Sequence, residues 1–164
     1  MHTRITYKPI GIIKTPFTSI AEMPIQPCGA SGAKGIIELK REYIMGLVDL
    51  TGFSHLILLY HFHLVDHHKL LVIPFMDDKP HGIFATRAPI RPNPIGMSVV
   101  RLQKIENNLL FIEGVDMVDG TPLLDIKPFF PKYDNHSDVR YGWLEEKGDL
   151  DITAIKSDDR FGFK

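Results

Sequence analysis

Apolar, β-branched runs broken by turn residues are the feature that most limits what this chain can fold into. Four such runs occupy its middle, at His55–Val65, Leu70–Met76, Met97–Ile105 and Leu109–Val115. Val, Ile, Leu and Phe at this density favour strands, and the Gly, Pro, Asn and Asp between them mark turns. Strands do not alternate with helices as they do in parallel sheets. We therefore predict a mainly β fold of antiparallel strands, a barrel or a strongly bent sheet, in one small domain.

Shorter elements are predicted around these runs. Tyr7–Phe17 and Gly35–Leu39 are typical of strands. The intervening Thr18–Gly35, rich in small residues, predicts a long loop of the kind that is usually functional or mobile. Apolar residues at helical spacing predict a short helix over Lys40–Leu50. The Asn-Asn pair at 107–108 predicts a hairpin turn, so the fold carries only one or two short helices.

Composition limits where the chain works and what it binds. Its 164 residues suffice for one domain with a core, and the single Cys28 excludes an internal disulfide. No apolar run reaches the ~20 residues that cross a bilayer, and the first residues lack a signal peptide's apolar core. We expect a cytoplasmic protein without membrane contact. The net charge of −1 means that a nucleic-acid partner must be held by a local patch.

The familiar sequence signatures of cofactor and metal sites are incomplete or absent. GASGAKG, Gly29–Gly35, lacks the complete phosphate-loop pattern, and no G-x-G-x-x-G occurs, so a Rossmann-type cofactor site is not expected. His61 and His63 share one face of a strand, with Asp66 close behind, a set that can bind zinc. No second ligand cluster matches it, and we predict no metal site. The alternative is that His63 hydrogen-bonds a neighbour or a ligand edge.

Stiff backbone and cationic side chains coincide in FATRAPIRPNPIGMS, Phe84–Ser98. Each proline locks its own φ and holds the preceding residue extended. Arg87 and Arg91 can therefore meet a ligand with little ordering entropy left to lose. A guanidinium binds carboxylate or phosphate through paired hydrogen bonds, and Gly96 lets backbone approach a ligand closely. The stretch predicts a preorganised anion-binding loop.

A second stretch, Gly114–Asp134, carries three aspartates around a turn. They are Asp116, Asp119 and Asp125, and the Asp-Gly-Thr-Pro sequence favours a tight turn. One interpretation is structural: an arginine of the proline stretch pairs with Asp119 or Asp125 and ties two loops together. The other is that the aspartates support a functional site, and the two are compatible.

These two stretches also carry a resemblance. GIFATRAPIRPNPIGMSVVRL followed by GVDMVDGTPLLDIKPFFP closely resembles the TsaA-like family, and PIGIIKTPF, MPIQP and KGIIELKREYIMGLVDLTGFSHLILLYHFH are similar to it. The resemblance covers residues 7–145, the predicted domain, and leaves 146–164 as a tail packed on the domain or on a dimer partner. Characterised bacterial members are S-adenosylmethionine-dependent tRNA methyltransferases of the TrmO type. The resemblance implies a non-Rossmann, barrel-like homodimer that methylates N6 of threonylcarbamoyladenosine next to the tRNA anticodon.

The resemblance further implies a site for S-adenosylmethionine near the dimer interface. The residues it assigns are Pro24, Ile25, Gln26, His63, Leu64, Arg87 and Met97, together with Arg140, Tyr141, Gly142 and Trp143. Such a set suits the cofactor, because its carboxylate can bind an arginine and its adenine can take apolar and backbone contacts. Its sulfonium is tolerated by an electron-rich surface.

Our hypothesis for the reaction is an in-line attack of the adenine N6 on the sulfonium methyl, promoted mainly by positioning. Asp119, Asp125 and Tyr141 are candidates for accepting the N6 proton, and Arg91 for holding the threonyl carboxylate. Where the family often has Tyr this chain has Phe129, so no phenol acts there. The alternatives are a methyltransferase for another RNA or a small molecule, which the near-neutral pI favours, and a cofactor-binding module without turnover.

Overall fold

Six antiparallel strands close into a barrel in the computed structural model of the chain. The structure describes residues 4–20, 32–148, 157–158 and 160–161. The barrel strands are β1 (Gly11–Lys14), β2 (Lys34–Leu39), β3 (His55–His61), β6 (Ile95–Glu106), β7 (Leu109–Glu113) and β8 (Thr121–Pro128), and a separate ribbon pairs β4 (Leu71–Val72) with β5 (His81–Gly82). Neighbours around the barrel follow the order β1-β2-β7-β6-β3-β8, and β8 closes it against β1. The predicted mainly β, barrel-like fold is confirmed.

Helical structure in the described residues is short. Single 3₁₀ segments cover Arg41–Leu47, Leu50–Gly52, Ile83–Ala85 and Gly142–Lys147, and one α-helix, α1, covers Pro131–Asp134. The helix predicted over 40–50 is therefore helical, but it is 3₁₀ and breaks before Asp49, whose φ is +65°. None of the described helices is long and apolar enough to cross a membrane.

Alternation of side chains between interior and exterior builds the barrel core. In β3, Leu56, Leu58 and Tyr60 point inward and are at most 4% exposed, while the residues between them are partly exposed. This period of two is the pattern that strands impose. Burying a Leu or Ile fully stabilises the fold by ~1.5–3 kcal/mol, and every barrel strand except β6 contributes at least one such residue. Strand β6 contributes Val100 and, unusually, the hydroxyl of Ser98.

Strand β8 is the main departure from the predicted elements. Sequence patterning predicted no strand over its residues, and prolines are disfavoured in central strands. Both prolines, Pro122 and Pro128, nevertheless lie inside the strand near its ends, opposite Ile12 and Leu56. The strand predicted over the apolar run at 70–76 is too long, since only Leu71–Val72 forms a strand.

The turn predicted at 107–108 is confirmed. Glu106 and Leu109 pair across it, and Asn107 has a φ of +55°, a conformation that Asn tolerates better than most residues. The Asn108 amide also donates to the carbonyl of Leu39, which ties the hairpin to the end of β2.

A second, smaller apolar cluster lies outside the barrel core. It consists of Val72, Ile83, Ala88, Ile90 and Phe161, with Phe75 packed edge-on against Phe161. Three of its members belong to the segment from Ile83 to Ile90, which leads into the proline-rich stretch. The cluster therefore supports that stretch from beneath.

Candidate functional site

A cavity of about 670 Å³ lies at the end of the barrel where β3 finishes and β6 and β8 begin. The strand register brings these three ends together, because His61 pairs with Ile95 and Tyr60 with Leu123. The wall includes His63, Leu64, Thr86, Arg87, Met97 and Trp143, and the segment from Asp116 to Val118 completes it. The cavity is bounded by the proline-rich stretch on one side and the barrel interior on the other.

Alternation within the proline-rich stretch directs its arginines to the cavity. Ala88 and Ile90 are buried in the small apolar cluster, and Arg87 and Arg91 line the cavity together with part of Ala88. Arg91 also fastens the stretch, since its Nη1 donates to the carbonyl oxygens of Ile83, Thr86 and Ala88 at 3.1, 2.9 and 3.3 Å. No bond from its Nε or Nη2 occurs within the described part of the chain. Arg91 is thus partly a structural residue.

A chain of hydrogen bonds crosses the floor of the cavity. The Tyr60 hydroxyl and Ser98 Oγ are 2.9 Å apart, and Ser98 Oγ donates to Asp116 Oδ1 at 2.6 Å. A serine hydroxyl has one hydrogen, so the Tyr60 hydroxyl must be the donor to Ser98. Hydrogen-bond donation therefore runs in one direction, from Tyr60 through Ser98 to the Asp116 carboxylate.

The surroundings of these hydrogen-bonded residues shift their pKa values. Burial raises the pKa of Asp116 to about 6, although the Ser98 hydrogen bond and the Arg87 guanidinium both act to lower it. Burial, followed by the charge of Asp116, raises the pKa of Tyr60, so the phenol stays protonated and remains a donor. At the cavity wall, burial and the neighbouring His61 lower the pKa of His63.

Gly96 lines the cavity, so its predicted close approach to a ligand stays a prediction, and it has a second role in packing. A Cβ at this position would lie 2.2 Å from Tyr60 Cε2. No other residue leaves room for the ring there. Gly96 therefore allows the Tyr60 hydroxyl to reach Ser98.

The 3₁₀ segment Gly142–Lys147 packs against the proline-rich stretch at the cavity wall. The Trp143 indole donates to the carbonyl of Ala85 at 2.8 Å and stacks on His81 with ring centres 4.4 Å apart. Lys147 Nζ and His81 Nε2 both bind the Asp77 carboxylate, at 2.6 and 2.9 Å. Hydrogen bonds from these two partners hold the pKa of Asp77 well below its usual range. We call this set (Asp77, His81, Trp143 and Lys147) the strap contact.

The structure brings only part of the predicted site together. Of the predicted residues, those on the cavity wall are His63, Leu64, Arg87, Arg91, Met97 and Trp143. Those described but not on the wall are Asp119, Asp125, Arg140, Tyr141 and Gly142. Pro24, Ile25 and Gln26 lie outside the described residues, as does Cys28. The roles assigned to all of them remain predictions.

The ion pair that one interpretation placed between the two stretches does not form among the described residues. Asp119 accepts the backbone amide of Thr15 at 2.9 Å, and Asp125 pairs with Lys127 at 2.7 Å. Neither carboxylate reaches an arginine of the proline-rich stretch within the described ranges. The acidic group whose pKa the Arg87 guanidinium lowers is Asp116 instead.

Sequence reasoning missed Tyr60 and Ser98 as site residues, and it named Asp116 only as one of three aspartates that could support a site. A signal existed for two of them, because Tyr60 and Ser98 occupy inward positions of strands whose other inward residues are apolar or Gly. A polar group at such a position needs a partner. Across residues 4–20, 32–148, 157–158 and 160–161, no group of three or more His, Cys, Asp or Glu side chains is arranged to hold a metal ion.

A closed six-stranded barrel with one cavity walled by a proline-fixed, arginine-bearing loop defines a small β-barrel ligand-binding domain, distinct from Rossmann-type cofactor folds. The model of the tRNA-methyltransferase O N-terminal domain family matches residues 12–135, and the chain belongs to that family. The resemblance drawn from its motifs is confirmed.

Several known proteins are similar to the chain. A protein of Pyrococcus abyssi named probable S-adenosyl-L-methionine-binding protein is 50% identical over 157 residues, which cover 96% of this chain and 85% of that protein. A Mus musculus tRNA (adenine(37)-N6)-methyltransferase is 36% identical over 92% of this chain and 38% of its own length. The crystal structure of TrmO from Pseudomonas aeruginosa matches with a TM-score of 0.73 and 38% identity, over 86% of this chain and 63% of that chain. This chain thus spans part of the two longer relatives.

Proposed function

We propose that this chain binds S-adenosylmethionine in the barrel-end cavity and transfers its methyl group to N6 of an adenosine in tRNA. The observation that carries the proposal is the cavity itself, in a domain of this family, with two arginines and a tryptophan on one wall. The names of the Pyrococcus and mouse relatives support the cofactor and the target.

The residues present fit such a cofactor. A volume of about 670 Å³ falls within the ~300–1,000 Å³ of typical small-molecule sites. Arg87 would hold the methionyl carboxylate, and Phe62, Met97 and Trp143 offer apolar and aromatic surface for the adenosine. When bound, S-adenosylmethionine supplies the methyl group. The chain's own residues bind it, orient it and exclude water from the reacting atoms.

We propose N6 of threonylcarbamoyladenosine next to the anticodon as the specific target. Its threonyl carboxylate would suit Arg91, whose Nε and Nη2 make no hydrogen bond to described residues and which lines the same cavity. We also propose that the protein works in the cytoplasm. It would assemble as a homodimer with the cofactor near the interface.

A binding module without turnover is the second candidate. The relatives from Pyrococcus abyssi and Archaeoglobus fulgidus are named for S-adenosylmethionine binding alone. Such a module would bind the cofactor with the same cavity but would leave tRNA unchanged.

Two measurements separate these functions. Calorimetric titration should show one S-adenosylmethionine per chain, and purified protein should then methylate tRNA that carries threonylcarbamoyladenosine but not the same tRNA with plain adenosine. Nucleoside mass spectrometry identifies the product. Binding without methyl transfer would favour the module, and equal transfer to both tRNAs would overturn the specific target. Analytical ultracentrifugation of the same sample tests the dimer.

A further inference from the structure

We propose that Asp116 is the general base that takes the proton from N6 during methyl transfer. The inference rests on the proposed function and names the residue that completes its chemistry. Its basis is the position of one carboxylate in the cavity and the one-way hydrogen-bond chain that holds it.

Position singles out Asp116. Among the described residues that line the cavity, it is the only one with a carboxylate. The carboxylates favoured from sequence, Asp119 and Asp125, are off the wall and already bound to a backbone amide and a lysine. A general base must come within hydrogen-bond reach of the proton it takes, and Asp116 is the carboxylate that the cavity places for this.

The hydrogen-bond chain favours the basic form. Because Ser98 donates to Oδ1, Asp116 is held as an acceptor, and Tyr60 in turn holds the Ser98 hydroxyl in that orientation. A carboxyl group with a pKa of about 6 is ionised in about nine-tenths of molecules at pH 7. It is nonetheless a stronger base than an ordinary aspartate, as a proton acceptor at neutral pH requires.

Four other titratable or charged side chains face this region from the surrounding elements. Arg87 and Tyr60 act directly on Asp116, and His63 and Arg91 line the same cavity. His63 is the rival base. The side chain of His63 is only partly buried and makes no hydrogen bond within the described part of the chain, whereas Asp116 is oriented by Ser98.

The step balances without a further reagent. N6 forms a bond to the methyl carbon, and the S–CH₃ bond breaks with its electron pair staying on sulfur. The N6–H bond breaks, and its proton passes to the Asp116 carboxylate, which later returns it to solvent. The sulfonium becomes a neutral thioether, and the methylated base is neutral.

Asp116→Asn is the first test. It keeps the shape of the side chain but removes the base, so kcat should fall by about 10²–10⁴-fold while calorimetry finds S-adenosylmethionine affinity within about threefold of wild type. A matched carboxylate-to-amide control, Glu106→Gln in the exposed β6–β7 hairpin, should keep wild-type kcat.

The pH dependence distinguishes a base from a structural residue. Wild-type kcat should fall below an apparent pKa near 6, and Ser98→Ala should move that limb to higher pH, because it removes a bond to the charged form. Carboxyl ¹³C NMR should show the same upward shift for Asp116 without substrate. His63→Gln should leave the limb in place.

The failures are distinguishable. If wild type transfers no methyl group, the proposed function fails and this role fails with it. If wild type transfers methyl groups but Asp116→Asn retains its rate, or if His63→Gln abolishes the acid limb, the role of Asp116 alone is overturned. If the acid limb of the kcat profile stays at the wild-type pH in Ser98→Ala, and the carboxyl NMR titration is also unchanged, the role of Asp116 is contradicted.

Discussion

The ring of Tyr60 occupies the space that the Cβ of a side chain at position 96 would need. The Tyr60 hydroxyl meets Ser98 in a largely apolar barrel interior. Burial raises the pKa of Asp116, and the hydrogen bond from Ser98 acts to lower it. Single residues therefore set both the shape and the protonation of the cavity floor.

Gly96→Ala should destabilise the protein and disturb the Tyr60–Ser98 bond. The new Cβ would meet a buried ring, and overpacking of this kind costs about 1–3 kcal/mol of unfolding free energy. Urea denaturation measures the cost. Gly46→Ala is the matched control, since nothing lies within 4 Å of a Cβ there. Equal stability of the two variants would contradict the packing described.

Asp116 should also make stability depend on pH. Its pKa rises from 3.8 to about 6 on folding, so the folded state holds the proton more tightly and stability falls as pH rises between these values. Asp116→Asn lacks this loss. Between pH 4 and pH 7.5 its unfolding free energy should gain about 2 kcal/mol relative to wild type. Parallel pH profiles for the two proteins in urea denaturation would show that Asp116 is not buried as described.

At the scale of elements, the strap contact joins segments distant in sequence. Lys147 and Asp77 are 70 residues apart, and Trp143 and Ala85 are 58 apart. The Asp77 carboxylate is only 4% exposed, so it depends on Lys147 and His81 for its charge. The strap contact fixes one wall of the cavity.

Lys147→Met should loosen this wall. Trp143 is the only tryptophan, so intrinsic fluorescence reports on the wall directly. We expect its emission to shift to the red and S-adenosylmethionine binding to weaken on the order of tenfold. Lys79→Met, a lysine-to-methionine change at an exposed site nearby, should alter neither signal. Unchanged emission in Lys147→Met would mean that the ion pair does not hold Trp143.

At the scale of the whole molecule, the described residues form two apolar clusters with different roles. The larger fills the barrel, and the smaller lies under the proline-rich stretch and includes Phe161 near the end of the chain. Arg160 reinforces it by donating to the carbonyl of Pro74 at 2.8 Å and by lying over the Phe75 ring. Barrel stability and cavity shape are thereby supported separately.

Phe161→Ala and Ile37→Ala should separate these roles. Each removes a buried side chain, at a cost of about 3–5 kcal/mol for the Phe and about 2–5 kcal/mol for the Ile. Phe161→Ala should weaken S-adenosylmethionine binding, because Ala88 and Ile90 lose their support. Ile37→Ala, in the barrel, should lower the unfolding free energy but leave the affinity of the folded fraction unchanged. Calorimetry with chemical denaturation on both variants tests this, and wild-type affinity in Phe161→Ala would contradict it.

The amino-acid sequence by itself determined the class of fold, the hairpin at 107–108 and the stiffness of the proline-rich stretch, because strand alternation, turn preference and proline geometry are local. Only the tertiary structure decided that β8 closes the barrel despite its prolines, and that Arg91 binds backbone carbonyls. It also decided which aspartate faces the cavity. Tyr60, Ser98 and Asp116 are separated by 38 and 18 residues, and their contact follows from strand register and barrel closure, which no local pattern encodes.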